Sequence, residues 1–205
     1  MRKGGVFLLM MAVVLLGCSS QPEAVSTTYL LPSADSGTNG SETNMQQLVT
    51  RGKHQPLLVV RPVEMAEHLS GTGLVYQMSE TEVVQAQQNL WAESISRQLT
   101  RRINQDLRYK QSRYWSTELT PALTISDSPR LQVKLSQFNG HYTGMAKLAG
   151  EWLLLDSDGE LKGVYPFAFK VPLDQEGYDA QVKALSEGVD RLTTQIAQRL
   201  STNAL

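Results

Sequence analysis

The chain has 205 residues, 41% of them hydrophobic, and a formal charge of -1. That length suits one domain behind a leader, with enough apolar residues for an ordinary core. The near balance of charge excludes general nucleic-acid binding, which needs a marked basic excess.

The amino terminus places Arg2 and Lys3 before an almost wholly apolar run, Val6 to Leu16. A short basic region, a short apolar stretch and small residues at a cleavage point make a secretory signal peptide over residues 1–17. Such a run spans about 16 Å as a helix, short of a ~30 Å hydrocarbon core, so it is not a membrane anchor. Leu15-Leu16-Gly17-Cys18 resembles the bacterial lipobox, whose cysteine takes a diacylglyceryl group and becomes the mature amino terminus. Cys18 is the only cysteine, so an internal disulfide is excluded. The expected modification is covalent diacylglycerol plus an N-acyl chain on Cys18, with no other cofactor. Several acyl chains anchor stably where one is marginal. Ser19, where the enterobacterial inner-membrane retention pattern has Asp, favours the outer membrane. Cleavage removes Arg2 and Lys3 and takes the formal charge from -1 to -3.

Residues 18–28 read as a lipidated tether and 29–201 as the folded domain. Tyr29–Leu31, before Pro32, is read as a first strand in preference to a tether running to Pro56, and the polar stretch 33–55 as a flexible insertion. Leu57–Val60 is a buried-strand pattern that Pro62 ends or confines to an edge. Leu74–Met78 is a second strand and Thr81–Gln85 a short third. From Ala92 to Leu107 the apolar residues Ile95, Leu99, Ile103 and Leu107 recur every fourth position, an amphipathic helix. Its exposed side is expected to carry Arg97, Arg101, Arg102 and Arg108. An antiparallel meander follows. Leu131, Val133 and Leu135 alternate with polar residues, Asn139-Gly140 marks a turn region, and residues 145–155 form a long strand. Asp156-Ser157-Asp158-Gly159 is a hairpin turn, and Phe167, Phe169 and Val171 face inward on a strand that Pro166 makes bulged or places at an edge. Finally Tyr178, Val182, Leu185, Val189, Leu192, Ile196 and Leu200 define a helix of about 23 residues. The sum is an α+β fold, a mixed and largely antiparallel sheet with two main helices packed on one face.

Catalytic and metal motifs are lacking. His54, His68 and His141 are scattered without ligand spacing, and neither a nucleophile elbow nor a phosphate-binding lysine loop occurs. Asp156 and Asp158 belong to a turn. The chain therefore reads as a non-enzyme without a metal site.

Gly73-Leu74-Val75-Tyr76-Gln77, Asn89-Leu90-Trp91-Ala92-Glu93, Phe138-Asn139-Gly140, Gly150-Glu151-Trp152-Leu153-Leu154 and Gly177-Tyr178-Asp179 occur in that order after the lipobox cysteine and Tyr29–Pro32. This ordered set resembles the ABC-type transport auxiliary lipoprotein family. The resemblance implies an outer-membrane lipoprotein facing the periplasm, a docking subunit of an MCE-type intermembrane lipid transport system that contributes to envelope integrity. Its partners would be a periplasm-spanning MCE conduit subunit, the inner leaflet of the outer membrane through the lipid anchor, and further copies of itself, with no nucleic acid. Alternatives are a periplasmic lipid- or solute-binding module and, third, an envelope hydrolase. Arg97, Arg101, Arg102 and Arg108 are the candidate partner-binding residues.

Cys18→Ser is expected to block lipidation and cleavage at this site and leave a larger precursor. Labelling with a radioactive fatty acid checks this; equal label in variant and wild type would remove Cys18 as the acceptor.

Overall fold

The computed structural model describes residues 25–32, 50–124 and 127–202. The expected signal peptide, Cys18 and most of the expected polar insertion lie outside them.

The longest alternating stretches build the frame. β7 (Arg130–His141) and β8 (Met145–Leu155) pair antiparallel from Arg130 opposite Leu155 to His141 opposite Met145. β9 (Leu161–Pro172) adds antiparallel to β8 and pairs with no other strand among the described residues. Pro166, which has no N–H to donate, is thus on an edge strand as its chemistry requires. Asp156 closes the β8–β9 hairpin, its Oδ1 accepting from the backbone N–H of Asp158 and Glu160.

The other side of β7 is shared. β2 (Leu57–Val60), β3 (Glu64–Met65) and β4 (Gly73–Gln77) lie along it in series, each parallel to it, at Arg130–Leu131, Lys134–Leu135 and Gly140–His141. β4 pairs antiparallel with β5 (Val83–Trp91), and β5 carries β1 (Thr27–Tyr29) in parallel. β6 (Trp115–Glu118) lies beyond β2. The result is a mixed sheet whose longest ladders are antiparallel, with two helices: an α+β fold.

α1 (Ile95–Lys110) contacts β2 and β6, α2 (Tyr178–Thr202) contacts β7, β8 and β9, and the helices touch each other. The stripes predicted for them are buried: Ile95, Leu99, Ile103 and Leu107 on α1, and Val182, Leu185, Val189, Leu192, Ile196 and Leu200 on α2. Trp152, wholly buried, stacks on Tyr165 with centroids 4.0 Å apart.

Four expectations need correction. The first strand is Thr27–Tyr29 rather than Tyr29–Leu31, because the Tyr29 carbonyl already accepts from Ala92 N–H and ends the pairing. β5 runs nine residues, far past Gln85, since β1 and Gly73 both pair near its end. That pairing holds the chain extended through Trp91 and delays α1 by three residues. Asn139-Gly140 lies inside β7, not in a turn. A Cβ at Gly140 would sit 2.5 Å from both the Tyr76 ring and Gln181 Oε1, so this glycine serves close packing. The turn comes at Gly144, whose φ of +73° is left-handed. β3 and β6 were not foreseen.

Leu185 is fully buried on α2. Leu185→Ala should cost about 2–5 kcal/mol and lower the melting temperature by roughly 5–15 °C. An unchanged melting curve would make α2 peripheral.

Candidate functional site

Two regions gather the groups able to act on a partner. The first is built on α1. Arg97 and Arg101 are exposed and one turn apart. The Arg101 guanidinium is held by both carboxylate oxygens of Glu93. This contact keeps the Glu93 carboxyl below the usual carboxylate range and raises Arg101. Arg97 is in no hydrogen bond or ion pair among the described residues, and its charge adds a smaller contribution to the lowering of Glu93.

The other two arginines are elsewhere. Arg108 is half-buried, its Nε donating to the Ser116 carbonyl at 2.9 Å and its guanidinium 4.6 Å over the Trp115 ring. Arg102 is only 3% exposed. Its Nε donates to Asp106 Oδ1 at 2.7 Å, and its Nη1 to Ser186 Oγ and the Pro32 carbonyl. The reading of Arg102 as a solvent-facing residue is therefore corrected. Burying an arginine requires a paired, hydrogen-bonded partner, and Asp106, the one acid in this stretch, is buried with it. Four arginines thus reduce to a surface pair, Arg97 and Arg101, backed by one carboxylate.

The buried pair is a junction. Asp106 Oδ2 accepts from Thr193 Oγ1 on α2, and Lys110 Nζ reaches Asp190 Oδ1 and Thr193 Oγ1. Ser186 Oγ also donates to the Pro32 carbonyl, and Leu31 N–H donates to Gln98 Oε1. The chain leaving β1 is therefore clamped onto both helices.

The second region is a pocket of about 540 Å³ where β4, the β7–β8 turn and the start of α2 meet. Tyr76, Tyr142, Leu173 and Tyr178 give it an apolar lining, and Gln181 crosses its base to donate to the Val75 carbonyl. Tyr142 escaped the sequence reading. An aromatic at a hairpin tip beside Thr143-Gly144 was the available signal. His141, beneath Tyr142, is buried, which together with Lys147 and Lys170 lowers its imidazole pKa below the usual value. Among the described residues no group of three metal-ligating side chains occurs, and no helix is long and apolar enough to cross a membrane.

The model of the ABC-type transport auxiliary lipoprotein component matches residues 41–197. The chain belongs to that family. It is 34% identical over 189 residues to the intermembrane transport lipoprotein PqiC of Escherichia coli K12, covering 92% of this chain and 93% of that one. The PqiC of Shigella flexneri matches to the same extent. A crystal structure of an uncharacterized protein superposes with a TM-score of 0.70 at 28% identity, over 86% of this chain and 99% of the other. A Xanthomonas campestris protein shares the fold at a TM-score of 0.59 and 16% identity, over 74% and 90% of the two chains.

Two measurements test these assignments. Arg102→Ala strands a buried carboxylate and should cost about 3–5 kcal/mol, whereas Arg97→Ala should stay within about 0.5 kcal/mol; denaturant melts compare them. For His141 the lowered folded value means that the unfolded chain binds more protons, so stability is lost as pH falls below about 6.5. Melting temperature against pH should fall less steeply on acidification in His141→Gln than in wild type. Parallel profiles would show that His141 makes no such contribution.

Proposed function

We propose that this chain is an outer-membrane-anchored lipoprotein facing the periplasm, the docking subunit of an intermembrane lipid transport system. The observation that carries the proposal is its kinship, along nearly the full length of both chains, with an intermembrane transport lipoprotein. The lipobox and Ser19 supply the anchor, acyl chains on Cys18. The partner is a periplasm-spanning MCE conduit subunit rooted in the inner membrane, and the lipoprotein acts on it by binding, without catalysis of its own and as a homo-oligomer.

Crosslinking in intact envelopes followed by purification through the lipoprotein tests this. A membrane-embedded conduit partner recovered without bound lipid is expected. The second reading, a lipid-binding module, has the 540 Å³ pocket in its favour; a phospholipid retained in stoichiometric amount and no conduit partner would establish it instead.

Within the docking reading, Arg97 and Arg101 form the contact for an acidic partner surface. Exposed charges act mainly on association rate and weaken with salt. Arg97→Glu with Arg101→Glu should lower partner binding about tenfold at low ionic strength while leaving the melting temperature unchanged. Wild-type binding by this variant would remove both residues from the contact.

A further inference from the structure

We infer that one end of the sheet, formed by the β4–β5 hairpin tip and the β7–β8 turn, rests on the phospholipid surface to which the chain is anchored. The inference deepens the proposed function and rests on its acylation of Cys18.

Strand direction identifies the end. β4 runs parallel to β7, so the β4–β5 connection lies at the same end as the β7–β8 turn. β9 is antiparallel to β8 and pairs Pro172 with Met145, which brings the start of α2 there as well. β5 leads away from this end, and β1 runs parallel to β5 with Thr27 opposite Asn89. Val25 and Ser26, which precede Thr27, therefore lie toward the Val83 end of β5. Seven residue steps separate Cys18 from Val25, a reach of at most roughly 25 Å. Twelve-residue β7 is about 40 Å long. A lipid on Cys18 thus meets the bilayer near the hairpin end.

The surface at that end is independently unusual. Exposed large apolar side chains collect there: Met78 (50% exposed), Val83 (47%), Val84 and Tyr142, with Val25 on the approaching chain. Successive residues of a strand point to opposite faces. Exposure of both Val83 and Val84 therefore leaves apolar surface on both faces of β5 at the hairpin end. Tyr142 opens into the pocket described above, and tyrosine, with an apolar ring and a polar tip, suits the headgroup boundary. Toward the opposite end of β8 and β9 the exposed large apolar residues are two, Leu161 and Val164, against Met78, Val83, Val84 and Tyr142 at the hairpin end.

Charge selects the kind of lipid. Glu80, Glu82, Asp174 and Glu176 are exposed around this end, against Lys147 and Lys170 nearby. An acid-rimmed apolar tip is repelled by anionic headgroups and tolerated by zwitterionic ones. The surface therefore fits phosphatidylethanolamine better than phosphatidylglycerol.

The test uses the whole lipoprotein. With Cys18 acylated, Met78→Cys and, separately, Leu161→Cys each supply a single free thiol for an environment-sensitive fluorophore. The labelled proteins are reconstituted in phosphatidylethanolamine–phosphatidylcholine vesicles carrying a spin-labelled phospholipid quencher, and the mass of the amino-terminal peptide reports acylation. Quenching at position 78 at least about twofold stronger than at 161 is expected, as for a tip reaching the headgroup boundary. Replacing half of the lipid by phosphatidylglycerol should weaken it. Equal quenching at the two sites, or stronger quenching at 161, with Cys18 acylated, overturns this inference and leaves the anchor standing. An increase with phosphatidylglycerol also overturns it. An unacylated Cys18 overturns the anchor and the inference together.

Discussion

The buried contact between Arg102 and Asp106 is the interaction on which the arrangement of the helices depends. Both side chains are almost entirely withdrawn from water, so each charge must find its compensation inside the protein. Asp106 uses both oxygens, one on Arg102 and one on Thr193. Arg102 directs Nη1 to Ser186 and to the Pro32 carbonyl, while Nη2 has no hydrogen-bond partner among the described residues. The apolar stripes would tolerate small slips of one helix past the other. A buried pair with directional bonds to α2 and to the chain after β1 does not, because displacement strands a charge.

Much of this was legible because amphipathic periodicity is local. The two helical stripes, the alternation of Leu131, Val133 and Leu135, and the Asp156–Gly159 turn are each written in a few consecutive residues. Parallel pairing is not. β1 on β5, and the series β2, β3 and β4 along β7, join segments far apart in the chain, and strands as short as Glu64–Met65 leave no periodic trace. Asn139-Gly140 carried a genuine local turn signal that lost to packing against Tyr76.

Arg102 was misread for an instructive reason. Charge alone assigned it to the solvent side, yet the helical repeat puts it seven residues from Ile95 and three from Leu99, on the apolar face. Asp106 follows at the fourth position, where an opposite charge can neutralise it. An ion pair spaced i, i+4 within a buried stripe was the signal for a clamp between elements. Of the four candidate arginines, the repeat would have kept Arg97 and Arg101 for the surface, as the structure does. The apolar pocket was illegible from sequence, since Tyr76, Tyr142 and Tyr178 meet only through the β4–β7 pairing and the β9–α2 connection.

The clamp also fixes how the amino-terminal segment enters the fold. That segment joins the sheet through three residues of β1, and the helix junction then grips Leu31 and Pro32. Amide hydrogen exchange of Arg102→Met tests this most directly, because methionine keeps much of the volume while removing the charge and its bonds. The Leu31 amide is predicted to lose its protection while amides of the β7–β8 ladder remain slow. A Leu31 amide as protected as in wild type would show that the buried pair does not hold the segment after β1.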